Sequence, residues 1–346
     1  MRLLDRDSSQ VPVDGTSTWR VMGASANQQQ GIPNDYYAAE ARIVTGDTVQ
    51  TVIMHTDNET LLGLTVDYLE QNNAHLPRAR NESDTPVSIV YSTQHDIIVG
   101  KELIAMGTSP YVAAATSDGG MVIASGKDSV GTLKSIVFGI ATSRACRNTS
   151  LAPLHASIGT VDGVHAFAVS GRGNWGKTTN MIAAKIAHPE ISVVTDDWSM
   201  IDTATGAITP IDMMVAIRPE AVEGIEAAVR TSGPDYLREA AKDSGKLYSV
   251  GEVFGSSGDT SKLCLDRVLL TDKRPDMPQE DTYSTDDVDI AWRLMDDAYH
   301  SPDIWGCYGA KYALLASGLR VKMINTTIGH SSRPQQLDAI TSFFLN

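Results

Sequence analysis

Residues Ser170 to Thr179 read Ser-Gly-Arg-Gly-Asn-Trp-Gly-Lys-Thr-Thr. Gly171, four residues, Gly176, Lys177 and Thr178 have the spacing of a phosphate-binding loop. Glycines at its ends let such a loop turn its backbone N–H groups inward and make a concave anion site. A helix beginning at Lys177 would add its partly positive N-terminus. On this reading Gly171, Arg172, Gly173, Asn174, Trp175, Gly176, Lys177, Thr178 and Thr179 cradle the phosphates of a nucleotide. Lys177 reaches the β- and γ-phosphates, and the Thr178 hydroxyl ligates Mg²⁺. Beyond the loop lies a carboxylate pair, Asp196-Asp197. One carboxylate beside a triphosphate can align an alcohol and accept its proton, while its neighbour holds metal.

Such residues do chemistry only if the chain positions them, and the flanking pattern is suited to that. His165 to Val169 is a short apolar run of buried-strand length. Thr178 to Ile186 places Met181, Ile182, Ala184 and Ile186 at helical spacing, and Ile191 to Thr195 reads as the next strand. Strand, loop, helix, strand and carboxylate pair follow one another within about 33 residues. Carboxylates adjacent in an extended strand point to opposite sides, so both reach one site only where the backbone turns.

The chain's 346 residues suffice for about two domains. With 42% apolar and 20% charged residues, its composition is that of a globular protein. No apolar run approaches the roughly 20 residues of a membrane helix, and Met-Arg-Leu-Leu-Asp-Arg-Asp is too polar to begin a secretory signal. A net charge of −14 argues against nucleic acid or an anionic membrane as partner. Cys146, Cys264 and Cys307 lack metal-ligand spacing; they read as reduced thiols of a cytoplasmic protein, serving as small core residues.

Residues 1–150 read as a mixed α/β N-terminal domain without a catalytic motif. Strands are expected at Trp19–Met22, Tyr36–Gly46, Val49–His55, Val87–Tyr91, Ile97–Val99, Tyr111–Ala115 and Met121–Ala124, with helices over Glu59–Leu69 and Val130–Arg147. Residues 151–346 form the second domain. Strands are expected there at Leu154–Ile158, Trp198–Ile201, Leu263–Leu270 and Leu319–Ile324. Helices are expected from Pro219, over Asp287–Tyr299, over Gly309–Ser317 and over Pro334–Phe344. The polar stretch 228–262 reads either as a loop that closes over substrate or as a surface insertion. The acidic run Glu280 to Asp289 reads as a solvated helix start.

Leu154-His155-Ala156, Asp162-Gly163-Val164, the loop Ser170–Thr179 and Val194-Thr-Asp-Asp197 together resemble the HPr kinase/phosphorylase family. The same phosphate-loop core occurs in phosphoenolpyruvate carboxykinase. The resemblance covers residues 150 to 220 well, extends weakly to about 275 and does not reach residues 1 to 140. It implies an α/β fold in which a mixed N-terminal domain precedes an HPr-kinase/PEP-carboxykinase-like nucleotide-binding domain. It also implies ATP and Mg²⁺ as cofactors and a homo-oligomer. Asp196 matches the carboxylate that takes the acceptor's proton, Asp197 its neighbour near metal, His155 the His beside the acidic pair, and Arg218 the Arg of the family's Glu-Ile-Arg segment. The Glu of that segment is Ala216 here, and the family's typical C-terminal segment is not recognisable in residues 228 to 346, so an acceptor other than HPr is expected.

Alone, His155 would read as a structural His, and Arg218 equally as a salt-bridging Arg at a helix start. Trp175 could stack on a base or acceptor, or pack the loop. His165 and His188 read as structural, Asp202 and Asp212 as turn residues. The expected activity is that of an ATP-dependent kinase, a phosphotransferase moving the γ-phosphoryl to a hydroxyl of a small molecule, peptide or protein Ser. The alternative is a nucleotide-dependent switch or assembly ATPase, or a non-catalytic nucleotide sensor.

Overall fold

The computed structural model describes residues 19–22, 32, 36–45, 48–73, 81–82, 86–93, 103–107, 112–116, 121–126, 129–172, 175–212, 214–215, 217, 219–229, 235–242, 248–255, 262–272, 287–298, 307–325 and 333–345. The chain is α/β and divides into two compact units, Met1–Ala141 and Thr142–Asn346.

In the first unit the strands are β1 (Trp19–Met22), β2 (Tyr37–Thr45), β3 (Thr48–Thr56), β4 (Asn81–Glu82), β5 (Val87–Ser92), β6 (Leu103–Gly107), β7 (Val112–Thr116) and β8 (Met121–Ser125). They form one mixed sheet in the order β1-β2-β3-β5-β8-β7-β6, with β4 beside β3. The central strands β3, β5 and β8 are parallel, and both flanks are antiparallel. Parallel centres need both faces covered, and β5 is buried along its whole length. Helix α1 (Glu59–Asn73) follows β3 and packs on the sheet through Leu61, Leu62, Val66 and Leu69. Asp57 ties the ends of β3 and β5 together, accepting from Ser92 Oγ at 2.7 Å and from the Thr93 N–H at 3.2 Å. Helix α2 (Val130–Cys146) crosses from the first unit into the second.

The second unit is built on β9 (Leu151–Thr160), the longest strand of its sheet. The same sheet holds β10 (His165–Ser170), β11 (Ser192–Thr195), β12 (Trp198–Asp202), β13 (Ile208–Pro210), β16 (Cys264–Asp272) and β17 (Arg320–Asn325), in the order β13-β12-β9-β10-β16-β17 with β11 also on β9. Strands β10, β16 and β17 run parallel, whereas β9 is antiparallel to β10, β11 and β12. Asp162 turns β9 into β10: its Oδ1 accepts the N–H groups of Val164 and His165, and Gly163 takes φ 76°. A separate ribbon pairs β14 (Met214–Val215) with β15 (Tyr248–Ser249).

The helices of this unit are α3 (Lys177–Ala187), α4 (Pro219–Val229), α5 (Asp235–Lys242), α6 (Val250–Phe254), α7 (Asp287–Asp297), α8 (Tyr308–Ala316) and α9 (Arg333–Leu345). Helix α3 buries Met181, Ile182, Ala183 and Ala184 against the sheet. Helix α9 reaches it through Phe344, whose ring stacks on Phe167 with centroids 3.9 Å apart.

Two expectations change. The stretch 228–262 is not simply loop: it holds α5, β15 and α6, with Leu237, Val250, Val253 and Phe254 buried. Its polar composition hid a capping box, in which Ser249 Oγ accepts the Glu252 N–H and Glu252 reaches back to the Ser249 N–H. Of the three thiols only Cys146 is a buried core residue; Cys307 is partly buried and Cys264 is exposed. The expected strand at Ile97–Val99 and residues 280–286 of the acidic run lie outside the described residues.

Candidate functional site

The expected phosphate loop follows the C-terminal end of β10 and precedes α3, the strand–loop–helix setting its sequence predicts. Gly171 is pressed against β16: a Cβ there would lie 2.0 Å from Thr271 Oγ1. Thr271 Oγ1 in turn donates to the Ser170 carbonyl at 3.0 Å, fixing the start of the loop. Gly176 takes φ 89°, which favours glycine, and no side chain caps the helix it opens. The first-turn N–H groups of α3 thus keep their capacity for an anion.

Lys177 is buried. Its Nζ donates to the carbonyls of Gly171 at 2.8 Å and Arg172 at 3.4 Å. An ammonium has three N–H donors, so one is left for a phosphate oxygen. Burial lowers the Lys177 pKa, and Asp197, Asp297 and Asp196 oppose that shift.

The acidic pair occupies the bend between β11 and β12, two strands that both lie along β9. The bend lets both side chains reach the site. Asp196 is buried; its Oδ2 accepts the Thr178 hydroxyl at 2.7 Å and its Oδ1 that of Ser157. Burial pushes Asp196 up to about 7, against the hydrogen bonds from Ser157 and Thr178. Asp197 is partly exposed, and its Oδ1 lies 2.8 Å from His155 Nε2. The His155 ring is buried, stacked on Trp198 with centroids 5.3 Å apart. The two face each other because Trp198 and His155 are register partners across β12 and β9. Burial and then Lys177 lower the His155 pKa, while Asp197 raises it.

The other wall is α7. Asp296 holds Arg172 through a two-pronged ion pair, with contacts of 2.7 and 3.1 Å. The Arg172 and Arg293 guanidinium carbons lie 5.9 and 5.4 Å from the Trp175 ring centre. Trp175 thus makes cation–π contacts within the loop's own surroundings. Asp297 is fully buried, accepts the Ser170 hydroxyl at 3.1 Å, and is pushed by burial up to about 7.

The structure therefore gathers Arg172, Trp175, Lys177, Thr178, Asp196, Asp197 and His155 at one place. Gly173, Asn174, Ala216 and Arg218 lie outside the described residues. His165 pairs with Asp162 at the β9–β10 turn and His188 with Glu190, both away from the loop. Asp202 accepts the N–H groups of Ala204 and Thr205, as a turn residue does. Sequence reasoning missed Ser157, Arg293, Asp296 and Asp297. One signal for the last two was available: acidic residues at a helix C-terminus oppose the helix dipole, and Asp296-Asp297 end α7.

The donor set fits a nucleotide with magnesium. Thr178 gives its hydrogen to Asp196, which leaves oxygen lone pairs for a cation. Among the described residues no cluster of three His, Cys, Asp or Glu could hold a metal alone. Among the described residues no helix is long and apolar enough to cross a membrane. No family model matches the chain, and no curated protein matches it.

Proposed function

We propose that this protein is an ATP-dependent kinase with an HPr-kinase-like core, which transfers the γ-phosphoryl group to a hydroxyl of a small molecule, peptide or protein Ser. The observation that carries this reading is the convergence of Lys177, Thr178 and Asp196. A buried ammonium and a hydroxyl of the phosphate loop sit beside a carboxylate that burial holds close to neutral pH in its titration. A base poised near the operating pH is what proton removal from an alcohol requires.

The steps follow from the residues. The loop N–H groups and Lys177 bind and neutralise the phosphates. Thr178 and Asp197 would hold Mg²⁺, which supplies charge neutralisation at the β- and γ-phosphates when bound. Asp196, with Ser157 and Thr178 fixing its two oxygens, orients the acceptor hydroxyl and takes its proton. His155 holds Asp197. Alignment supplies much of the rate, since phosphoryl transfer asks for positioning more than for covalent help. Net charge −14 points to an acceptor other than nucleic acid.

The test is mass spectrometry of reactions containing the protein, ATP, Mg²⁺ and a panel of Ser and Thr peptides, hydroxy amino acids and sugars, with Lys177→Ala as control. Gain of one phosphoryl group, lost in the control, establishes transfer and names the acceptor class. ATP hydrolysis with every acceptor unmodified moves the assignment to a nucleotide-dependent ATPase.

A further inference from the structure

Adjacent aspartates on one strand reach one site only because the chain bends between β11 and β12, and one residue clasps that bend at both ends. Thr195 and Trp198 flank the acidic pair. The Thr195 hydroxyl donates to the Asp212 main-chain carbonyl at 2.6 Å. The Asp212 N–H donates to the Trp198 carbonyl at 3.1 Å, beside that of Ile211 at 3.0 Å. Asp212 thus meets the residue before the pair with its C=O and the residue after it with its N–H.

The setting of residue 195 singles out its hydroxyl. Thr195 is fully buried at the end of β11, after Val193 and Val194. Valine, with nearly the same shape and the same liking for strands, would suit the strand alone. A buried hydroxyl needs an acceptor, and it has one hydrogen to give. The Asp212 carbonyl is the nearer acceptor; the Trp198 carbonyl, at 3.4 Å, lies across the bend itself.

Asp212 is itself fixed. It is fully buried between β13 and β14, and its Oδ1 accepts the Met214 N–H at 3.1 Å. Strand β12 lies between β13 and β9, and β9 completes the hold from its own side. The Asp196 carbonyl accepts from Ser157 Oγ at 3.2 Å and the Asp197 carbonyl from the Ala156 N–H at 3.0 Å. Without the Thr195 hydroxyl the exit of the bend keeps its bonds to Ile211 and Asp212, whereas its entry loses the bond to residue 212. Asp196 follows Thr195 directly, so a shift at the entry passes to its carboxyl. The phosphate loop stands on other elements, β10 and α3.

We propose that Thr195 is a positioning residue for the acidic pair: its hydroxyl, bonded to the Asp212 carbonyl, sets the bend that brings both Asp196 and Asp197 to the site. Its effect on turnover rests on the kinase reading; its effect on the bend does not.

Thr195→Val deletes the hydroxyl and keeps the shape. Amide hydrogen exchange followed by NMR reads the bend through the Ile211, Asp212 and Ala156 N–H groups that donate into it. In Thr195→Val these amides should exchange at least about fivefold faster, the equivalent of one ordinary hydrogen bond. The Asn180 N–H of α3, bonded to the Gly176 carbonyl, should keep its rate. Turnover should show a split: kcat falls about 10- to 100-fold, the scale of a ~1 Å misplacement, while ATP affinity by calorimetry is unchanged. Thr195→Ser keeps a donor and should restore both exchange and kcat. If Thr195→Val does not fold, Asp212→Ala, which removes the Met214 anchor of the same carbonyl, is read in its place. Unchanged exchange at those amides, an unchanged kcat, or a kcat and ATP affinity that fall together overturns the proposal. Absence of phosphoryl transfer by the wild type, with the exchange response intact and reversed by Thr195→Ser, overturns the kinase reading alone and supports Thr195 as the holder of the bend.

Discussion

Thr178 donates its hydroxyl to Asp196 Oδ2 at 2.7 Å, joining the first turn of α3 to the bend between β11 and β12. The phosphate side of the site and its acidic side are thus one hydrogen-bonded unit. Asp196→Asn keeps the shape of that unit and removes its proton acceptor. Phosphoryl transfer should fall by about 10²- to 10⁴-fold, the share a positioned general base supplies. Nucleotide affinity, measured by calorimetry, should change little. Retained turnover would remove Asp196 from the base role.

Stability should carry the signature of the two buried carboxyls. Asp196 and Asp297 are both held up to about 7 from an ordinary 3.8. A raised folded-state pKa means the folded chain binds more protons than the unfolded one. The stability these groups give is present below about pH 4 and is lost as pH rises through about pH 7. Asp196→Asn and Asp297→Asn should therefore gain stability relative to wild type as pH increases across that window. Melting temperatures at matched ionic strength check it, and a difference independent of pH would place these carboxyls in ordinary ionisation.

Much of this site was legible in the residue order. Gly171, Gly176, Lys177 and Thr178 have the spacing of one short loop leading from strand to helix, and Asp196-Asp197 follow one helix and one strand later. The elements that position them were legible too: the expected runs at 165–169, 178–186 and 191–195 are β10, α3 and β11, with ends moved by a residue or so. What was hidden comes from far along the chain. Asp297 reaches Ser170 across 127 positions and Arg172 meets Asp296 across 124, and no local period encodes such pairs. Ser157 was hidden differently, since a Ser in an apolar strand looks like filler until its cross-strand neighbour Asp196 is known. The elements within 228–262 were not legible because α5 and α6 are too short to show a helical period.

Gly171 provides a steric test of how tightly the loop is docked. The Cβ of Gly171→Ala would lie 2.0 Å from Thr271 Oγ1, so loop or strand must move. Overpacking of this kind costs about 1–3 kcal/mol. Gly171→Ala should lower the denaturation midpoint and weaken nucleotide binding. Thr271→Ala removes the clashing oxygen and should recover part of the loss in the double variant, beyond the sum of the single effects. Strict additivity in the double-mutant cycle would show that the two residues do not meet in solution.

On the kinase reading, Lys177 joins phosphate binding to the electrostatics of the acidic wall. Its ammonium is buried among Asp197, Asp297 and Asp196, and burial lowers its own pKa. Lys177→Met removes the phosphate contact, so nucleotide affinity should drop by at least about tenfold, the factor that 1.4 kcal/mol of lost binding gives. It also leaves the carboxyls without their buried cation. They then hold protons to higher pH, or ionise uncompensated at a cost of about 3–5 kcal/mol. The stability lost relative to wild type should therefore be small near pH 5, where Asp196 and Asp297 are protonated in the folded state, and grow towards pH 8. Urea denaturation of both proteins across that range measures it. A loss that stays constant with pH would mean that the Lys177 charge is balanced by the main-chain carbonyls of Gly171 and Arg172 rather than by the acidic wall.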